Sequence, residues 1–283
     1  MTLVYYFFYY LGQYMRKIKL LFAFAFFIGS TSLSAQIFWG PKGSIQGYKT
    51  VFDDITVKDT LDSKFRLGFT IGGFVNVPLK KEYSLVAELS YVRRGRKNII
   101  QSDQGRLTHI SKYNFLELPM MIRRQFKVNL KENMESAWYL EIGPNISYWM
   151  GGKGEFKDVA EPFSYKLKFE SADATTDDVM FLTNSNRFLF GLEVGAGINL
   201  QTRLREFVGI ELRYTHGQTF LGKKDSEVVL SNSFIQFTDN FIANYRVASL
   251  NISYNFMLDV REFKKGASVS DKKKKVKRKK QKR

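Results

Sequence analysis

The 283-residue chain has no cysteine. That excludes a disulfide framework and any cysteine-based metal site. Histidine is nearly absent too, with only His109 and His216. The sequence holds no phosphate-cradling glycine loop, no metal-ligand spacing and no nucleophile motif. It therefore implies no cofactor, no metal and no enzyme. Long hydrophobic runs are also missing. The longest candidate, Leu20 to Gly29, is shorter than the ~20 residues a membrane-spanning helix needs.

Charge is abundant but unevenly placed. The formal net charge is +17, of which residues 264–283 carry +11. Arg16, Lys17 and Lys19 add +3, which leaves the rest of the chain at +3, so the body is not especially basic. Those three cations, the apolar run after them and the small residues from Ser30 to Ala35 have the layout of a secretory signal peptide. Cleavage is expected after Ala35 or after Ser34. Residues 1–14 are rich in Tyr and Phe without positive charge, so Met15 is the expected true start. The expected organisation is a signal peptide over 1–35, one domain over 36–258 and a basic disordered tail over 259–283.

What the body does have is alternation. In Phe188 to Leu200, every second residue is apolar, and the intervening set is small or polar apart from Leu189 and includes Glu193. Side chains of a strand point alternately to opposite faces. One face therefore meets something uniformly apolar: the core of a soluble sandwich, or the lipid around a barrel with a polar lumen. Seven further segments alternate in the same way: 37–48, 65–77, 83–94, 113–124, 138–150, 207–216 and 247–256. Pro41 makes the first of them the weakest strand pattern.

The lengths of the links favour the barrel. If the first strand runs upward, the upper links are 49–64, 95–112, 151–187 and 217–246. The lower links are 78–82, 125–137 and 201–206, each shorter than every upper one. Short turns on one side and long loops on the other are expected of an outer-membrane barrel. An even number of strands also leaves no open edge in the bilayer. The predicted fold is all-β, an eight-stranded antiparallel transmembrane up-and-down barrel. Tyr83 and Trp138 fall at its lower rim, and Tyr91, Tyr148, Trp149 and Tyr214 at its upper rim. There they are expected to form aromatic girdles.

Phe115-Leu-Glu-Leu-Pro119, Tyr139-Leu-Glu-Ile-Gly-Pro144, Gly191-Leu-Glu-Val-Gly-Ala-Gly197 and Glu211-Leu-Arg-Tyr214 with Gly217 carry a resemblance. With the strand closing on Phe256, they resemble the Bacteroidetes outer-membrane β-barrel family of porin-family or PorT-type proteins, over residues 36–258. The resemblance implies a Gram-negative outer membrane. Its PorT branch implies a component of type IX protein secretion, with secretion-complex proteins as partners.

The inward faces carry Lys42, Arg66, Glu88, Arg94, Glu117, Arg123, Glu141, Glu193, Glu211 and Arg213. An eight-stranded barrel is narrow enough to be filled by its own side chains, and charges inside it must pair. A structural network is expected to include Arg66, Glu88, Glu117, Glu141, Glu193, Glu211 and Arg213, with the last five joined as one. A proton path, a substrate site or a narrow channel is the alternative. A lipid-modifying enzyme using His216 as its base is another; His109 is read as lying in an upper loop. Asp173, Asp177 and Asp178 read as an acidic solvated loop rather than a loose cation site. The two longest upper links are the expected recognition surfaces. Both termini are expected in the periplasm. There Lys272 to Arg283 would meet an anionic periplasmic or cell-wall partner or remain solvated; nucleic acid is excluded by the signal peptide. The remaining expected partner is outer-membrane lipid.

Overall fold

The computed structural model describes residues 36–52, 65–79, 82–102, 105–131, 134–157, 162–169, 179–203, 205–223, 226, 228–230 and 241–259. The expected signal peptide, nearly all of the basic tail, and Asp173, Asp177 and Asp178 lie outside these residues.

Eight long strands close a ring. They are β1 (Gln36–Phe52), β2 (Arg66–Pro78), β3 (Tyr83–Ser102), β4 (Gly105–Lys131), β5 (Met134–Lys157), β8 (Phe188–Arg203), β9 (Glu206–Gly217) and β11 (Ala243–Asp259). Each pairs antiparallel with its neighbour, β5 with β8, and β1 with β11 to complete the barrel. Three short strands sit outside the ring: β6 (Phe163–Phe169), β7 (Val179–Leu182) and β10 (Val228–Leu230). β6 extends the upper part of β5, β7 runs parallel to β6, and β10 pairs with β7. Together with the upper ends of β3, β4 and β5 they make a sheet that stands above the barrel.

The barrel is apolar outside and polar inside. Leu67 and Leu212 expose about two thirds of their surface (70% and 66%), and Ile45, Ile71, Ile142 and Ile252 are also exposed. The buried set in the lower and middle barrel includes Lys42, Glu88, Arg123, Glu141 and Arg213. A soluble sandwich would have the reverse arrangement, because water would solvate the charges and the apolar face would be hidden. On β5 the outward residues between Trp138 and Tyr148 are Leu140, Ile142, Pro144 and Ile146. Ten residues at ~3.3 Å per residue and a ~40° tilt span about 25 Å, the height of a transmembrane apolar band.

The strand ends differ from the sequence reading. The 95–112 link is largely a hairpin, paired from Gly95↔Lys112 to Ser102↔Gly105. The 125–137 link is likewise mostly strand. The ordering of upper and lower link lengths therefore does not hold, since the β3–β4 ladder runs as far as Ser102↔Gly105. The cause is chemical. Above the lipid both faces of β3 carry charge (Arg93 and Lys97 on one, Arg94 and Arg96 on the other), so alternation of polarity vanishes although the ladder continues.

Pro41 does not break β1. The ladder to β11 skips Gly40 and Pro41 between Trp39↔Phe256 and Lys42↔Ser253, with the register unchanged. Pro144 opens a similar gap between β4 and β5, from Pro119↔Asn145 to Ile122↔Ile142. Proline has no N–H to donate, and at both gaps the preceding glycine lets the neighbouring backbone come close. A Cβ on Gly40 would lie 1.8 Å from the Tyr254 carbonyl oxygen, and one on Gly143 2.0 Å from that of Met120. Gly143→Ala is expected to destabilise the barrel by about 1–3 kcal/mol through overpacking. Gly73→Ala, whose Cβ would meet nothing nearer than 3.4 Å, should be nearly neutral. The folded, heat-modifiable band in a gel-shift assay under urea distinguishes the two.

Candidate functional site

The interior has two tiers. The lower one is centred on Arg213, which β9 turns inward between the outward Leu212 and Tyr214. Its Nη1 donates to Glu88 Oε2 and Glu193 Oε2, both at 3.0 Å. Its Nη2 donates to Glu88 Oε1 at 2.7 Å and Glu141 Oε1 at 2.6 Å. Its Nε lies 2.8 Å from Glu211 Oε1. One guanidinium thus serves four carboxylates from β3, β5, β8 and β9.

Two further cations complete the lattice. Lys42 Nζ donates to Glu88 at 2.8 Å and to Glu211 at 3.0 Å. Arg123 Nε donates to Glu141 Oε2 at 2.9 Å, and its guanidinium lies 3.7 Å from the centre of the Tyr139 ring. Tyr139 donates its hydroxyl to Glu211 at 3.0 Å. Three cations face four carboxylates, and neutral donors make up the difference. Glu193 Oε1 accepts from Asn145 at 2.7 Å and Thr215 at 2.9 Å, and Glu211 accepts from Asn251 at 3.1 Å.

Glu117 and Arg66 depart from the expected network. Glu117 sits higher on β4, where Arg94 Nη2 donates to it at 3.0 Å and Ser147 at 2.9 Å. Arg94 Nε in turn donates to Gln46. This is a second, neutral cluster above the lattice rather than part of it. Arg66 is only half-buried, at the upper start of β2, and donates to the backbone carbonyl of Arg96 at 3.3 Å. It lies too high on its strand to reach the carboxylates. Tyr139, Asn145, Thr215 and Asn251 belong to the lattice and were not singled out from sequence. Their inward parity was visible, but their partners were not.

Above Arg94 the lumen is filled by aromatic rings. Trp149 is fully buried and meets Tyr113, Phe169 and Phe241 with ring centres 4.9, 4.9 and 5.9 Å away. The girdle position expected for Trp149 is therefore wrong, because it shares the inward parity of Asn145 and Ser147 on β5. Tyr83, Trp138 and Tyr214 are exposed on the outside of the barrel, and Tyr91 and Tyr148 are half-exposed on the same face. Phe115, Tyr48 and Tyr245 pack with Trp149 in one buried cluster, and the Arg96 guanidinium lies 4.2 Å from the centre of the Phe241 ring.

His109 is in β4, not a loop. It is buried, stacked on Phe156 at 4.6 Å and sharing a 2.6 Å hydrogen bond with the Tyr165 hydroxyl. Burial and the nearby Arg96 charge hold its pKa down to about 3, so the ring is neutral at physiological pH. His216 ends β9 on the outer face, opposite Arg246 and Leu192 in the ladders. Its cross-strand neighbours supply neither an acid nor a nucleophile.

The lumen leaves little free space. Two cavities beside Arg94 and Arg213 hold about 30 Å³ each, room for about a water or two. Chemically, the interior is an ion-pair lattice capped by an aromatic plug. Arg213→Met would strand four carboxylates with two cations. Its expected cost is about 3–5 kcal/mol, read as a lower urea midpoint for the refolded protein. A midpoint within error of wild type would contradict the lattice.

A family model described as "Outer membrane protein beta-barrel domain" matches residues 32–219. Similar solved structures include Ail, the attachment invasion locus protein of Yersinia pestis, at 11% identity and TM-score 0.34, covering 78% of this chain and 98% of that one. OprG from Pseudomonas aeruginosa is similar at 9% identity and TM-score 0.44, covering 79% and 94%. Neisserial surface protein A is similar at 11% identity and TM-score 0.37, covering 80% and 98%. No curated protein sequence matches. With an apolar exterior, a charged interior, a closed ring of eight strands and a family match spanning about two thirds of its length, the chain belongs to the outer membrane protein β-barrel domain family.

Proposed function

We propose that this protein is a non-enzymatic, non-conducting outer-membrane scaffold. It acts through the sheet and loops above its barrel and through partners docked on its ends. The observation that carries this reading is the two-tier closure of the lumen. Solute cannot pass Arg213 and its four carboxylates without breaking buried ion pairs, and the Trp149 cluster covers them. The surface that the fold builds most elaborately is instead the upper sheet, where β6, β7 and β10 are added to the ring. Long elements on a rigid scaffold are where recognition usually sits.

In this reading the upper sheet is extracellular and both chain ends are periplasmic. The Lys-rich segment Lys272 to Arg283 then faces anionic partners of the periplasm or cell wall. A secretion-complex partner, as the PorT resemblance implies, would dock on the same exposed ends and would co-purify with the tagged protein.

Two measurements test the proposal. Purified protein in planar bilayers should give no stepwise conductance, and discrete openings would contradict it. Because the native chain lacks cysteine, single cysteines report orientation cleanly. On intact cells Ser164→Cys on β6 should react with a membrane-impermeant maleimide, and Leu79→Cys at the lower turn should not. The opposite pattern would invert the orientation.

A further inference from the structure

The upper sheet carries an arrangement that neither interior tier uses. Lys112 on β4 lies directly opposite Lys153 on β5, and Lys153 lies directly opposite Lys166 on β6. Three like charges therefore stand side by side across three strands. Lys168 follows two residues along the same face of β6, and Arg93 and Lys97 on β3 flank the row through their pairing with Asn114 and Ile110.

Like charges directly opposite one another destabilise a strand pair. Here the row is actively built. The ladder between β4 and β5 shifts register at Asn114 and Phe115, where Met150 is the extra residue and Gly151 takes a φ of 145°. That bulge reverses the parity of β5. Trp149 points inward below it and Phe156 above it, so Lys153 turns outward beside Lys112. Among the described residues, none of the four lysines has a carboxylate within ion-pair distance. Glu155 also lines the groove, and its carboxylate is paired with Lys157 at 3.3 Å.

The lysines rim a groove of about 540 Å³ whose apolar lining includes Ile110 and Val179. That size suits a small sugar-sized head group. The row also continues the lipid-facing surface, since Lys112 lies on the same face of β4 as Leu116 and Leu118, which are exposed below it. Leu116 is paired with the girdle residue Tyr148. Four residues of tilted strand put Lys112 roughly 10 Å above that level, where the head groups of a bilayer lie.

We propose that Lys112, Lys153 and Lys166, with Lys168, Arg93 and Lys97 around them, bind the phosphorylated head group of a lipid in the surrounding outer leaflet. The phosphates neutralise the repulsion within the row, and the apolar lining receives the sugar faces. A soluble polyanion satisfies the charge but not the position. The groove lies on the outward face of the strands, the face that meets lipid below it at Leu116 and Leu118. This inference rests on the extracellular placement of the upper sheet, which maleimide labelling tests separately.

The test is native mass spectrometry of the full chain refolded in detergent, with bisphosphorylated lipid A and fully dephosphorylated lipid A as probes. Wild type should retain the bisphosphorylated form at least about tenfold more tightly, a difference of about 1.4 kcal/mol. The triple variant Lys112→Gln, Lys153→Gln, Lys166→Gln should lose that preference while keeping its heat-modifiable fold. The corresponding triple arginine variant should retain it. Equal retention of the two lipids, or equal preference in the glutamine variant, would overturn the proposal. So would binding of soluble heparin through these lysines without any preference for the phosphorylated lipid.

Discussion

A guanidinium sealed inside an eight-stranded barrel has to find its counter-charges there. Arg213 does so with four glutamates from four strands. Unpaired charge is costly in that setting, so each strand must hold its register closely enough to bring its inward residue to the same level. A slip of one residue would turn every inward side chain out into lipid. The lattice and the outward apolar belt are thus one constraint acting on two faces. The glycines before Pro41 and Pro144 serve it as well, because they let the ladders close around missing N–H groups without a change of register.

The same constraint accounts for what was legible in the sequence. Between the two membrane surfaces the faces meet different media, so polarity alternates and all eight barrel strands can be read. Above the lipid both faces are wet or packed on protein, the alternation disappears, and the upper halves of β3, β4 and β5 look like loops. β6 does alternate, with Tyr165 and Leu167 buried between exposed Ser164, Lys166 and Lys168. It is only seven residues long and lies in a stretch whose length suggested a loop. β7 is buried throughout and four residues long, a pattern too short to tell from any apolar cluster.

Of the interior, the inward set was legible and the pairing was not. Parity alone turns Glu88, Glu141, Glu193, Glu211 and Arg213 inward. Which of them touch depends on closing the ring, which brings Lys42 to Glu211 across 169 positions and Arg213 to Glu88 across 125. Height along the strand then separates Glu117 and Arg66 from the lattice, a coordinate that parity does not carry. Trp149 shows the converse error, since its parity pointed inward while its place near a strand end suggested a girdle. The lysine row needed both the ladder register and the bulge at Gly151 to become visible.

The barrel's dependence on Arg213 is tested most directly by coupling inside the lattice. A double-mutant cycle between Arg213→Met and Glu88→Leu, measured by urea unfolding in lipid vesicles, isolates the pair that makes two parallel hydrogen bonds. A coupling of about 2–3 kcal/mol is expected, with the double variant more stable than the two single effects would sum to. Additive effects, with coupling indistinguishable from zero, would mean that the charges are hydrated separately and that the barrel does not depend on their pairing.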